Sequence, residues 1–443
     1  MFVFSFFSSI FSVVTKKINK SPLLVKIYNP IIVKKKFAKF QKNVIIYKKY
    51  FVFEFLKRTT MANKVYKFLI APDKFRGSLS SSQALHSIKM GISTVYKDAV
   101  VAEFLMTDGG DGFVDSIADA YAKTKKSAKR IVRLKTIDPL GQTLTAKCAL
   151  LDDDTAIVGL TEASGINLVA EDERNPAKLT TIGTGNILAK LVERGYKTII
   201  VGVGGSATND GGIGLLAPLG FKFLDKNDKE ISLNGEGLQH LAKIEKPQTE
   251  IKTKFIVATD VANPLLGNTG ASLQFSKQKG ASDEMAKQLE KNMQNYVGVV
   301  KKCFGASLHE SEGAGAAGGC GYALMTMLGA KRVSGFELFA KYNDIEKQIK
   351  ACDVVITGEG KFDITDTQGK GPFELAKMAL KNKKKAWILC GESDLTKNKL
   401  AEIGLEGAEL KQILNVAPNA VEAFNRASKH LSTLTKDLVA ELK

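Results

Sequence analysis

Residues 202–214, GVGGSATNDGGIG, set Ser206, Thr208, Asn209 and Asp210 among six glycines, directly after the apolar run KTIIV. Two chemistries compete for such a turn. Backbone N–H groups unshielded by side chains can cradle an anion, with Asp210 kept as a carboxylate for phosphoryl transfer or for magnesium. Alternatively, Gly202, Gly204 and Ala207 satisfy G-x-G-x-x-[GA], the dinucleotide clasp, with Asp225 placed to bind a ribose. The clasp pattern is weak, because glycine-dense loops match it easily. The run Asn209-Asp210-Gly211-Gly212 also keeps the backbone in turn chemistry where a dinucleotide-binding helix would already have begun. A turn needing only positive φ would take one glycine, not six. The anion cradle explains more of the residues.

Further polar, glycine-bearing segments recur at strand ends: PDKFRGS (72–78), TDGGDG (107–112), TDVANPLLGNTGAS (259–272) and TGEGKFD (357–363). EGAGAAGG (312–319) opens into the helical run YALMTML. In open parallel sheets the ligand crevice lies outside the carboxyl ends of the strands, so these loops are candidates for one site. The elements that must position them alternate. VYKFLIAP, VVAEFLM, KTIIVGV, KFIVATDV, CDVVITGEG and KKAWILCGE read as strands. SSQALHSIKMGISTVY reads as a helix with a serine-rich start suited to N-capping, and DEMAKQLEKNMQNYVGVVKKCF as a long helix. This alternation predicts an α/β fold with a largely parallel sheet. The β-richer middle predicts a second α/β domain, residues 113–290, inserted into a discontinuous first one formed by 61–112 and 291–443.

At 443 residues the chain is long enough for two cores. Its five cysteines form no CxxC pair and its four histidines are scattered, which argues against a disulfide framework or zinc site and for a reducing cytosol. The net charge of +18 suggests nucleic acid, but residues 1–60 hold 13 basic residues against the single acid Glu54, leaving only +6 on the rest. No basic stripe interleaved with aromatics follows, so nucleic acid is not expected as a partner. Neither Gly360-Lys361 nor Gly369-Lys370 is followed by Ser or Thr, so no Walker A loop is present.

GGSATNDGG closely resembles the signature of the bacterial glycerate kinase family, type I. APDKFRGSLSS is similar to the family's APDSFKGSLSA, TDGGDG to its ADGGEG, and DVANPLLGNTGAS to its DVxNPLxGxxGAS. EASGINLV with RNPAKLTTIGTG, EGAGAAGG and VVITGEGKFD complete a collinear match from about residue 67 to near the C terminus. The resemblance implies a discontinuous flavodoxin-like domain carrying the inserted one, and ATP- and Mg²⁺-dependent phosphorylation of D-glycerate on the 2-hydroxyl. There are departures. Lys74 and Arg76 stand where the family has Ser and Lys, Gly159 replaces a Glu, and Thr365 and Asp366 stand for Gln and Thr.

With that activity as the expectation, Asp210 and Asp260 are the catalytic residues, Asp210 the first choice for the catalytic carboxylate, and together they form the magnesium site. The plainer alternatives are turn-holding for Asp210 and helix capping for Asp260 and Asp73. Asp73, Arg76, Ser78, Asp108, Asp111, Ser206 and Asn209 are expected on the glycerate side, Arg76 gripping the carboxylate bidentately. Gly204, Gly205, Gly313, Gly315, Glu359, Gly360, Lys361, Asp363 and Lys370 are expected to face ATP. A nicotinamide-dependent hydroxy-acid dehydrogenase using the Gly202 loop is the alternative enzyme, and a membrane or polyanion adaptor using the basic leader the alternative non-enzyme. The expected location is the cytoplasm, and a homodimer is left open.

Residues 1–60 lie outside the resemblance: they contain no glycine and 10 of the 24 phenylalanines. A secretory signal fits poorly, since MFVFSFFSSIFSVV lacks a positive n-region, and Lys16 interrupts the run before the roughly 20 apolar residues a membrane span needs. The reading favoured is AT-rich upstream DNA translated in silico, with the enzyme starting at Met61; a targeting leader is the competing one. Intact mass spectrometry of the native protein is expected to find a species beginning at Met61 or Ala62. A mature soluble enzyme retaining Met1 would overturn this, and initiation mapping on the transcript separates a late start from a cleaved leader.

Overall fold

The computed structural model describes residues 65–442 apart from Arg76 and Asp108, so the reading of residues 1–60 falls outside the described residues. Strands with unbroken apolar runs must be covered on both faces, and two such sheets form. The first holds β1 (Lys67–Ile70), β2 (Val100–Glu103), β11 (Val354–Lys361), β12 (Lys385–Glu392) and β13 (Glu409–Gln412), all parallel, in the order β13-β12-β11-β1-β2. That is the flavodoxin-like order, and its switch point falls between β1 and β11. The second sheet holds β3 (Ile131–Ile137), β4 (Thr143–Leu150), β5 (Thr155–Gly159), β6 (Thr198–Gly202), β9 (Lys254–Ala258) and β10 (Lys331–Val333), in the order β10-β9-β6-β5-β4-β3. β10, β9, β6 and β5 run parallel, while β4 and β3 form an antiparallel margin. β7 (Lys222–Leu224) and β8 (Lys243–Glu245) make a separate antiparallel ribbon.

Helix α1 (Ser81–Val95) begins where the serine run places it: Ser80 and Gln83 form a reciprocal capping box. It packs with α8 (Ala427–Ala440) on one face of the first sheet, where Phe68, Ile70, Ile356 and Trp387 meet Ile88 and Leu431. The other face buries Leu69, Val355 and Ile388 against Phe373 and Leu375 of α7 (Gly371–Lys381). In the second sheet Ile157, Ile200 and Ala258 face Phe113, Val114 and Ile117 of α2 (Phe113–Lys125). Val158, Val201 and Val257 face α3 (Ile182–Glu193), α4 (Asp283–Phe304) and α5 (Cys320–Leu328).

The boundary expected at residue 290 needs correction. Met293, Tyr296 and Val300 of α4 and Tyr322 of α5 lie in the second sheet's core, and β10 is hydrogen-bonded into that sheet. The signal that misled was the change from strand-rich to helix-rich sequence, which marks the helical cover of the second sheet and not the end of its core. The chain returns to the first sheet through α6 (Gly335–Tyr342), whose Leu338 still packs with α2 while Phe336 and Phe339 join the first core. Among the described residues no helix is long and apolar enough to cross a membrane.

Candidate active site

The carboxyl ends of β1 and β11 form one pole of the site. The backbone is pinned there by Asp73 N–H donating to Gly358 O at 2.8 Å and by the Thr357 hydroxyl donating to Ala71 O at 2.9 Å. Glu359 lies buried beside Asp366, and Lys370 Nζ stands 2.7 Å from Asp366 Oδ1 and 4.0 Å from Glu359 Oε2. One ammonium cannot neutralise two carboxylates in a dry pocket. Burial above all, then the neighbouring Asp366, pushes the Glu359 pKa up to about 9 against the pull of Lys370, so this carboxyl is protonated at neutral pH. For Lys370, burial works against the charge, but Asp366 and Glu359 outweigh it and raise its pKa. Asp363 is occupied locally: its Oδ1 accepts from Thr365 N–H at 2.8 Å and from the Thr365 hydroxyl at 2.6 Å, capping the turn that carries Asp366. Lys361 is exposed and lies 3.6 Å from Glu392.

The second pole is built on the glycine loop after β6. Gly204 N–H donates to Gly109 O at 3.1 Å, so TDGGDG, arriving from the first sheet, lies on the strand ends of the second. A Cβ on Gly204 would come within 2.8 Å of Gly110 Cα, which only a glycine avoids. EGAGAAGG closes the loop from the other side: Gly211 N–H donates to Gly318 O at 2.9 Å, and a Cβ on Gly318, at φ +65°, would lie 2.1 Å from Thr208 O. Gly313 packs against the Arg332 side chain, whose Nη1 pairs with Glu312 at 3.0 Å, and Gly315 N–H donates to Asn263 O. Asp260 Oδ1 accepts from Gly335 N–H at 2.7 Å, at the start of α6. Asp111 stays at the surface, its Oδ2 accepting from Asn167 Nδ2 at 2.9 Å.

The structure thus regroups the expected residues. Asp73, assigned to glycerate, shares the switch-point pole with the ATP-assigned Glu359, Gly360, Lys361, Asp363 and Lys370, while the Ser78 hydroxyl donates to Phe75 O at 3.1 Å in the turn that follows β1. Asp111, Ser206 and Asn209 share the other with Gly204, Gly205, Gly313 and Gly315. Arg76 and Asp108 are outside the described residues.

Asp210 corrects the expectation of a catalytic, magnesium-bearing carboxylate. It is fully buried, and its oxygens accept from Thr181 N–H at 2.9 Å, the Thr181 hydroxyl at 2.6 Å and Gly212 N–H at 3.0 Å. A carboxylate so engaged is turned away from the crevice and ties Thr181 to the Asp210–Gly212 turn. Asn209 is likewise turned inward, its Nδ2 donating to Ser272 Oγ at 3.0 Å. Among the described residues no cluster of three or more His, Cys, Asp or Glu is arranged to hold a metal.

The dinucleotide clasp also fails. The helix after the loop, Ile213–Leu216, has four residues, and Asp225 spends its Oδ1 on Asn227 and Lys229 N–H groups at the tip of a ribbon apart from the parallel sheet.

A flavodoxin-like sheet and a second, mostly parallel sheet are joined by strand-end loops, one pole of them carboxylate-rich and the other glycine-lined. The sequence profile of the Glycerate kinase family matches residues 68–443. The chain is 34% identical to a glycerate kinase of Bacillus subtilis strain 168, covering 85% of this chain and 98% of that one. It is 35% identical to a glycerate 2-kinase of Escherichia coli K12, with the same coverage of 85% and 98%. A crystal structure of a candidate glycerate kinase 2 from Salmonella typhimurium LT2 superposes with a TM-score of 0.66 at 31% identity, over 86% of this chain and 98% of that one. The chain belongs to the glycerate kinase family.

Two consequences can be measured. Asp210→Asn puts an amide N–H against donors that now meet a carboxylate oxygen, so the variant is expected to lose about 2–3 kcal/mol of stability in denaturant unfolding. A variant of unchanged stability with abolished turnover would restore the catalytic role. Glu359 has a folded pKa raised above its ordinary 4.5, so its contribution to stability is complete below that value and is lost as pH climbs through about 9. Glu359→Gln removes the loss, and its melting temperature relative to the wild type is therefore expected to rise steadily from pH 5 to pH 9. A difference independent of pH would show that Glu359 is already ionised.

Proposed function

We propose that this chain transfers the terminal phosphoryl group of ATP to the 2-hydroxyl of D-glycerate, with Mg²⁺ accompanying the nucleotide. The observation that carries the reading is the Gly204–Gly109 contact, which brings the loop after β2 of the first sheet onto the strand ends of the second; a triphosphate and a small hydroxy acid are proposed to bind on either side of it. Phosphoryl transfer asks mainly for positioning and neutralised charge, so it does not require the buried Asp210 as a base. Mg²⁺ is commonly held by substrate phosphates with one or two carboxylates, which suits a site whose described residues form no dedicated cage; it would neutralise phosphate charge. Arg76 remains the proposed grip on the glycerate carboxylate, a guanidinium being matched to bidentate binding. The 2-hydroxyl is favoured because the Escherichia coli relative is named a 2-kinase.

Purified protein given D-glycerate and MgATP is expected to release ADP and form 2-phosphoglycerate, identified by phosphorus–proton NMR correlation, and EDTA should stop the reaction. Formation of 3-phosphoglycerate would overturn the choice of hydroxyl. Glycerate-independent ADP release, or none at all, would overturn the reading itself.

A further inference from the structure

Beneath the glycine loop lies a lysine that no motif announced. Lys279 ends the short turn Lys277–Lys279 and is 4% exposed. Its Nζ donates to Ser206 Oγ and to Thr208 O, each at 2.7 Å. Both acceptors are uncharged. The titratable groups facing it are the Cys320 thiol, at the start of α5, and Asp210, whose oxygens are engaged by Thr181 and Gly212. A buried ammonium held only by neutral acceptors is costly, and a methionine would fill the same space without that cost. Burial accordingly lowers the Lys279 pKa to about 8.

The loop above it shows a matching surplus of donors. Among the described residues, the backbone N–H groups of Gly205 and Ser206 have no acceptor. The Ser206 hydroxyl, one lone pair taken by Lys279, keeps its hydrogen to give. Gly204 and Gly205 reach the surface. A cation without a direct ion pair, set beneath a five-residue segment whose donors lack acceptors, describes a site suited to a negative group.

We propose that Lys279 is the positioning residue of an oxyanion subsite on residues 204–208, charging the loop from beneath and orienting the Ser206 hydroxyl toward a substrate carboxylate or phosphoryl group. The inference rests on the glycerate kinase reading for the identity of the anion, which is either the carboxylate of D-glycerate or a phosphate of the nucleotide. Lys279 touches neither; it acts through Ser206 and the Thr208 peptide. No proton or group is transferred by it.

The test uses the full chain and calorimetric titration with D-glycerate and, separately, with the magnesium complex of a non-hydrolysable ATP analogue. Lys279→Met is expected to bind one of the two at least tenfold more weakly and the other as the wild type does, which identifies the source of the anion. Lys279→Arg, keeping the charge, should recover part of the loss. Wild-type affinity for that ligand should fall between pH 7.5 and pH 9.5 as Lys279 loses its proton, and the fall should be absent in Lys279→Met. Because Cys320 also faces the ammonium, Cys320→Ala is included and should keep the pH dependence. Lys279→Met is expected to fold at least as stably as the wild type, since a poorly compensated buried charge is removed; if it does not fold, Lys279→Gln and the wild-type pH profile carry the same test. Unchanged affinity for both ligands in a folded variant, or a wild-type affinity flat across that pH range, would overturn the subsite. Loss of binding to the nucleotide analogue by Lys279→Met in a protein that phosphorylates no glycerate would instead overturn the function and leave the subsite standing.

Discussion

One peptide contact sets the geometry on which the site depends: Gly204 N–H reaching Gly109 O across 3.1 Å. It joins the loop after β2 of the first sheet to the loop after β6 of the second, so the strand ends of both sheets open onto shared ground. The contact is backbone to backbone and tolerates no Cβ, since one on Gly204 would collide with Gly110 and one on Gly109 would lie 2.6 Å from Ala258 O. Glycine density here is a packing requirement at least as much as a ligand-binding one.

That double use explains how a glycine-rich loop can read as a ligand crevice while some of its polar side chains turn inward. The α/β class, the strands that bear the loops and the serine-capped α1 were legible because each rests on local signals, an apolar run, a turn, a cap, whereas the flavodoxin-like order was expected only from the family resemblance. Asp210 was not, because its neighbours in sequence are turn formers and its real partner, Thr181, lies 29 residues upstream. An Asp in a glycine loop looks the same whether its carboxylate faces the crevice or the core. Only the position of Thr181 at the start of α3 decides.

Lys279 shows the converse. Its surroundings in sequence, FSKQKGAS, are polar and lysine-bearing, which is the ordinary signature of a solvated turn. What buries it is the loop of residues 204–210 folding over it, a contact 71 to 73 residues away. Periodicity carries no trace of such a contact. The merging of glycerate-assigned and ATP-assigned residues at each pole has the same origin: spacing along the chain says which loops follow strands, not which strands are neighbours.

The two poles also differ in how they handle charge, and the difference has a chemical consequence. At the switch point the surplus is negative: Glu359 and Asp366 share Lys370, and the excess is relieved by keeping Glu359 protonated. At the glycine loop the inward-facing Asp210 accepts from Thr181 and Gly212, while the Lys279 ammonium is held by neutral oxygens alone, so its charge has no direct ion pair. A protein lowers its energy at the first pole by binding a proton or a cation and at the second by binding an anion. A cationic group at the first pole and an anionic one at the second would supply both signs at once. Each would find part of its binding energy in relieving a charge imbalance that the folded chain carries without it.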